Sequence, residues 1–247
     1  MSEKSSLFNR VNRLLVAAIR QRVKPLVLRK FSKIRVVVRS RLGREVRIIV
    51  GSSATAQKGW ISTEQSYFDL LNLASMQEFL GTCRPNNILM EHVLEHLTTE
   101  EISVALQNLR SIMSLQGSVR IAVPDGFHPS PWYQQQTGIN GAEPGADDHK
   151  SSLNHENLLL LAQRAGFNLK LLEFFDSDGH FNSECYSEDS GRIERSSKHY
   201  RGRLTENQAD IDDFYGSMKV EQVEYLKSKG LTYTSLIADL SLAAQHG

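Results

Sequence analysis

A chain of 247 residues, 40% hydrophobic and 23% charged, is long enough to bury one large core without disulfide help. Its two cysteines, Cys83 and Cys185, lie far apart with no Cys-x-x-Cys or Cys/His spacing, which argues against a disulfide framework or a structural zinc and suits a reducing compartment. The near-zero net charge of +1 hides an asymmetry: residues 1–47 carry fourteen Lys/Arg against Glu3 and Glu45, so a basic arm precedes an acidic remainder.

In the arm, Leu7, Val11, Leu14, Leu15 and Ala18 follow helical spacing behind Ser6 as N-cap, with Arg10, Arg13, Arg20 and Arg22 between them. Pro25 interrupts the pattern, and Leu26–Phe31 resumes it. No apolar run approaches the roughly 20 residues that span a bilayer, and arginines run through what would be the core of a secretory signal. Two readings stay open: a basic amphipathic helix on an anionic membrane surface, or a helix packed on the chain's own acidic domain. Nucleic acid is a poorer partner, since only Phe8 and Phe31 interleave the charges. An Arg-rich, acid-poor organellar presequence is a minor alternative.

From about residue 46 the pattern changes to short apolar runs divided by turns. Val46–Val50 is β-branched and ends at Gly51, as a buried parallel strand does. The small residues Gly51, Ser52 and Ser53 then let backbone approach a ligand, although dinucleotide loops usually have three glycines and this one has one. Gly59–Glu64 reads as a second strand ending in an acid, and the link from Gly51 is too short for a full helix. Tyr67–Leu71, with Asp69, reads as a third strand and Ile88–Met90 as a fourth. The fourth leads into Glu91-His92-Val93-Leu94-Glu95-His96. Thr98-x-x-Glu101 is a capping box opening a helix to about Met113, with Ile102, Ala105, Leu106, Leu109 and Ile112 on one face. Val119–Val123 is the fifth strand, so strand, helix and strand form a βαβ unit. A long Pro/Gly-rich loop, 124–150, carries Trp132 and Tyr133 and ends in Asp147-Asp148-His149-Lys150. A helix capped by Asn154, a strand over Leu169–Phe175, a polar hairpin region from Asp176, a helix over Ile211–Lys229 and a last strand over Tyr233–Leu240 complete the chain.

Several of these pieces, in this order, resemble the class I S-adenosylmethionine-dependent methyltransferases, in particular a bacterial branch of predicted methyltransferases. They are Gly59-Trp60-Ile61, Glu91–Leu97, Arg120–Gly126, Asp148-His149-Lys150, Ala165-Gly166-Phe167 and Ser235–Asp239, and the similarity covers about residues 46–240. The resemblance implies an α/β fold with a Rossmann-like seven-stranded sheet, its last strand antiparallel. On that basis residues 1–45 are a basic helical arm and 46–247 the methyltransferase-like domain, with an inserted segment at about 176–230. It also implies S-adenosylmethionine as cofactor. Gly51, Ser52 and Ser53 would approach its methionine part and Glu64 its ribose; Asp69 would take the adenine edge, and Glu91 and His92 the sulfonium side. His96 would orient or pack the turn.

Methyl transfer to a hydroxyl or amine is helped by a base near neutral pH. His149 is the first candidate, followed by His128 and Asp125. The aromatic pair in the long loop suggests stacking on a sugar, hence a small-molecule or cell-envelope glycan acceptor, with the protein cytoplasmic at the inner face of the membrane. Two other classes compete. His92-x-x-Glu95-His96 matches an inverted zinc-hydrolase pattern, but such ligands sit on a long helix and Thr98 starts a new one directly afterwards; no metal ligand is assigned. A methyltransferase-like scaffold with a weakened cofactor loop is the non-enzymatic alternative.

Overall fold

The computed structural model describes residues 25–51, 56–193, 216, 219–228 and 235–244. The expected helix over Leu7–Ala18 and the loop residues Ser52 and Ser53 lie outside the described residues.

Seven strands form one mixed sheet in the order β2-β1-β3-β4-β7-β5-β6: β1 Arg47–Val50, β2 Ile61–Ser62, β3 Asn87–Glu91, β4 Ser118–Val123, β5 Phe167–Phe175, β6 Phe181–Ser183 and β7 Leu236–Leu242. Strands β2, β1, β3 and β4 run parallel, while β7 lies antiparallel between β4 and β5. The expected α/β sheet with an antiparallel last strand is therefore present, but its membership differs. Tyr67–Leu71 is not a strand. The Asp69 carboxylate accepts from the Leu71 amide at 3.0 Å, and the Glu64 carbonyl accepts from the amides of Tyr67 and Phe68. This local turn chemistry outcompetes a ladder. The seventh strand is instead β6, folded back on β5 through the turn at Asp176–His180. The second strand also shortens to two residues.

Helix α1 includes residues 25–41, α2 is Leu73–Leu80, α3 Thr99–Ile112, α4 Pro131–Thr137, α5 His155–Arg164 and α6 Val220–Ser228. The capping box at Thr98 is formed in full, and Asn154 caps α5 in the same way. Pro131 sits in the first turn of α4 behind the Ser130 cap, a short helix that the long loop's composition conceals. Helices α2, α3 and α5 bury Phe79, Leu106 and Leu158 on one face of the sheet. The other face carries Ile49, Leu89, Ala122 and Ile237, and Ile193 packs on it. Arg120 on β4 holds that covering segment. Its guanidinium makes two 2.8 Å bonds to Asp239 on β7 and donates at 2.7 Å to the carbonyls of Ser187 and Gly191.

Helix α1 has two opposed faces. Val36 is buried in the core, Ser32 donates to the Ser62 carbonyl at 3.0 Å, Arg35 donates to the Trp60 carbonyl at 2.7 Å, and Arg29 pairs with Glu78. On the opposite side Val27, Phe31, Ile34 and Val38 form an exposed apolar stripe at helical spacing. No described helix is long and apolar enough to cross a membrane.

Candidate functional site

The connection from β1 goes to β2 on one side, whereas that from β3 goes to β4 on the other. The chain therefore changes direction between β1 and β3, and loops leaving their carboxyl ends part and open a crevice. A cavity of about 750 Å³ lies there, within the range of small-molecule and cofactor sites. Val50 and Gly51 from the end of β1, Asp69 from the following turn, Glu91 and His92 from the end of β3, and Asp148 and His149 from the long loop line it. Register sets this meeting, since Val50 pairs with Met90 and Glu91 with Ala122.

Backbone conformation is unusual at Gly51 and His92 among the lining residues. Gly51 has φ +61, and a Cβ added there would lie 3.2 Å from Val93 Cγ2. His92 has φ 53 although it is not glycine. Such a conformation is costly for a side chain larger than hydrogen and concentrates at functional sites. The His92 amide donates to the Ala122 carbonyl at 2.8 Å, which fixes the turn.

Beyond β3 the chain forms a 3-10 turn, Leu94–His96, rather than a long helix. Glu95, buried in this turn, is the hub of a polar cluster. Its Oε1 accepts from His92 Nδ1 at 2.9 Å and lies 4.0 Å from His149 Nε2. His149 Nδ1 contacts the Thr137 carbonyl at 2.8 Å. A carbonyl only accepts, so Nδ1 carries the proton there. His96 Nδ1 lies 2.8 Å from the Asp148 carboxylate, and the His96 and His149 rings meet edge to face at 4.8 Å. The distant loop reaches this turn because the Glu95 carbonyl accepts from the amides of Lys150 (2.7 Å) and Ser151 (3.2 Å). Burial opposes ionisation of Glu95, but the charge and hydrogen bond of His92, its own backbone amide and the charge of His96 together hold its carboxyl below the ordinary value.

The other two candidate bases occupy a separate, closed environment. His128 stacks on Tyr133 with ring centroids 3.9 Å apart and packs against Phe175. Its Nδ1 accepts from the Ser130 amide at 3.2 Å, and burial depresses its pKa to about 3. Asp125 accepts from the amides of Phe175 (2.8 Å) and Phe127 (2.9 Å), tying the end of β4 to the end of β5. Burial pushes its pKa up to about 6, against those two hydrogen bonds and the His155 charge. Neither lines the cavity. Tyr133 is fully buried with one ring face on His128, so it is not the sugar-stacking surface expected of it; Trp132 beside it is half-buried. Glu64 is half-buried and adjoins the lining residue Gln65, but is not itself on the cavity wall.

Of the expected site residues, the cavity thus gathers Gly51, Asp69, Glu91, His92 and His149. His96 and Asp148 line it as well, and Glu95 is buried in the turn beside them; the sequence signals for these were the His-x-x-Glu-His spacing and the Asp148-His149-Lys150 piece of the resemblance.

No known family model matches the chain, and no curated protein matches it. Solved structures similar to it include a LepI variant in complex with SAH and a substrate analogue (15% identity, 57% of this chain and 36% of that one, TM-score 0.35). Another is the plantazolicin methyltransferase BamL with a desmethyl analogue and SAH (12% identity, 94% and 90%, TM-score 0.39). A SAM-dependent methyltransferase from Archaeoglobus fulgidus is a third (13% identity, 86% and 92%, TM-score 0.39). The chain spans about a third of the length of LepI.

Proposed function

We propose that this chain is an S-adenosylmethionine-dependent methyltransferase for a small-molecule or cell-envelope glycan acceptor. The observation that carries the reading is the cavity at the carboxyl ends of β1 and β3, where the strand order reverses beside an antiparallel β7. Its wall suits the cofactor. Gly51 exposes backbone at a position where a Cβ would press on Val93, and the buried Glu91 supplies a carboxyl group. Bound there, S-adenosylmethionine supplies an already activated methyl group, so alignment accounts for much of the rate.

The chain's own residues have three tasks in this proposal. Gly51 and Asp69 hold the cofactor from the β1 side, with Glu64 assigned to the ribose hydroxyls. Glu91 and His92 face its cationic centre. The His149 end of the cavity is where the acceptor is activated for attack, because His149 keeps its Nδ1 proton on Thr137 and presents Nε2 inward. His128 and Asp125 have no part in it. The outward stripe of α1, set among Lys30, Lys33 and Arg41 with no acid between residues 25 and 44, supports a peripheral position on an anionic membrane.

Calorimetric titration of the full chain with S-adenosylmethionine tests the reading. One-to-one binding, weakened about tenfold or more in Glu91→Gln, is expected. Unchanged affinity in Glu64→Ala removes the ribose assignment alone. Absence of binding at millimolar cofactor favours a methyltransferase-like scaffold, the reading supported by the single glycine of the first loop.

A further inference from the structure

Three imidazoles in the cavity have the same arrangement: each Nδ1 is held by an oxygen, and each Nε2 is left for another partner. The oxygens are Glu95 Oε1 for His92 (2.9 Å), the Asp148 carboxylate for His96 (2.8 Å) and the Thr137 carbonyl for His149 (2.8 Å). Histidines that ligate metals are oriented in this way, with the distal N–H given to a carboxylate or a backbone carbonyl. Ligand atoms also converge: Glu95, His96 and His149 each bring a ring nitrogen or a carboxylate oxygen to within 4.8 Å of the others. Bonds of about 2.0–2.2 Å to a zinc-sized ion place its ligands roughly 3–4 Å apart, so small side-chain rotations would close the set.

Charge argues in the same direction. The Nδ1 proton of His149 is on Thr137, and its Nε2 lies 4.0 Å from the Glu95 carboxylate. A carboxylate and a ring nitrogen at that separation in a buried site are placed to share a cation. Glu95 Oε2 and His92 Nε2 are buried and have no hydrogen-bond partner among the described residues, which is unusual for a carboxylate oxygen so deep.

We propose that Glu95, His96 and His149 form a binding site for a divalent first-row transition ion, with His92 as the residue that orients Glu95. Two imidazoles on the cavity wall and one buried carboxylate beside them suit zinc, cobalt or iron(II), with positions left open toward the cavity. The objection to a zinc hydrolase, that the ligands are not on one long helix, does not apply here. This set joins a 3-10 turn to a loop more than fifty residues later, held by the Lys150 and Ser151 amides on the Glu95 carbonyl. If the methyl-transfer reading holds, the ion would bind the acceptor oxygen and lower its pKa, with the proton leaving to solvent. The metal site itself does not depend on that reading. The second carboxylate–histidine group, Asp176, Asp178 and His180, differs: it is largely exposed, and the Asp176 carboxylate is occupied by the amides of Asp178 and His180.

The test uses the full chain stripped with a chelator, titrated with zinc by calorimetry and with cobalt by visible absorption, without cofactor. One equivalent is expected in the wild type and in His180→Ala, and none in His96→Ala or His149→Ala, with circular dichroism showing each variant folded. Asp148→Ala should retain the site with affinity lowered about 10–100-fold. No stoichiometric uptake by the wild type, or uptake that survives both His96→Ala and His149→Ala, overturns the proposal. Titration with S-adenosylmethionine on the same samples reports separately on the methyltransferase reading, so either can fail alone.

Discussion

Two groups of histidines and carboxylates, one fully buried and one with His96 partly exposed, differ in what surrounds them. In the first, His128 and Asp125 are enclosed by Tyr133 and Phe175, and His128 Nδ1 and the Asp125 carboxylate bond to nearby backbone. In the second, Glu95, His96 and His149 come together from a 3-10 turn and a distant loop, with His96 and His149 on the wall of a 750 Å³ cavity and Glu95 buried beside them. Both contain residue types suited to acid–base chemistry. The difference is access: a titratable group serves the fold when its partners are backbone groups sealed from solvent, and it serves chemistry when a cavity reaches it.

The largest expected difference between the groups is in turnover. On the proposed function, His149→Ala should lower kcat by about 10²–10⁴-fold with little change in cofactor affinity. His128→Phe, which keeps a ring against Tyr133, should leave kcat within a few-fold. Steady-state kinetics of the two variants measure this, and equal losses would remove the distinction.

Acid stability should show the reverse. His128 is held neutral, with its pKa lowered from the usual 6.5 to about 3 by burial. The unfolded chain therefore takes up its proton first, and the stability this group contributes above pH 6.5 is lost as pH falls toward 3. Asp125, raised to about 6, has the opposite sign: its contribution is full below the unfolded value near 3.8 and is lost as pH rises through 6. Between pH 6.5 and 4.5 the wild type should lose about 2 kcal/mol relative to His128→Phe, read as the change in the difference between their urea midpoints.

Asp125→Ala should cost about 2 kcal/mol at neutral pH, since it leaves the buried Phe175 amide and the part-buried Phe127 amide without their acceptor. Thermal unfolding checks this, and a stability equal to wild type would mean that the link between the β4 and β5 ends is dispensable. The smallest effect concerns neither group. Phe31→Asp on the outer face of α1 should weaken association of the full chain with anionic vesicles by roughly 1–3 kcal/mol, while the melting temperature stays unchanged because Phe31 is 65% exposed.

The elements legible in the sequence were those with local signals. The apolar runs that became β1, β3, β4, β5 and β7, and the caps at Thr98 and Asn154, needed only neighbours within a few residues. Tyr67–Leu71 failed for a local reason of another kind. Its apolar residues are buried, as a strand's would be, but Asp69 and Glu64 bend the backbone into turns. Helix α4 was hidden because its polar glutamines give no amphipathic period. The active group was legible only in part. Glu91, His92 and His149 stood out by position, whereas the centrality of Glu95 depends on the Lys150 and Ser151 amides reaching its carbonyl. That is a long-range contact with no sequence period. The sealing of His128 likewise required β5 to bring Phe175 across to it.

The central claim is that the crevice between the ends of β1 and β3 holds the cofactor, and Gly51 tests it most directly. Its φ of +61 and the 3.2 Å approach of an added Cβ to Val93 leave no unstrained place for a branched side chain at the cavity wall. Calorimetry of S-adenosylhomocysteine binding to wild type and Gly51→Val, with folding verified for both, should give one-to-one binding in the first and none in the second. Equal affinity in the two proteins would place the cofactor elsewhere and contradict the account.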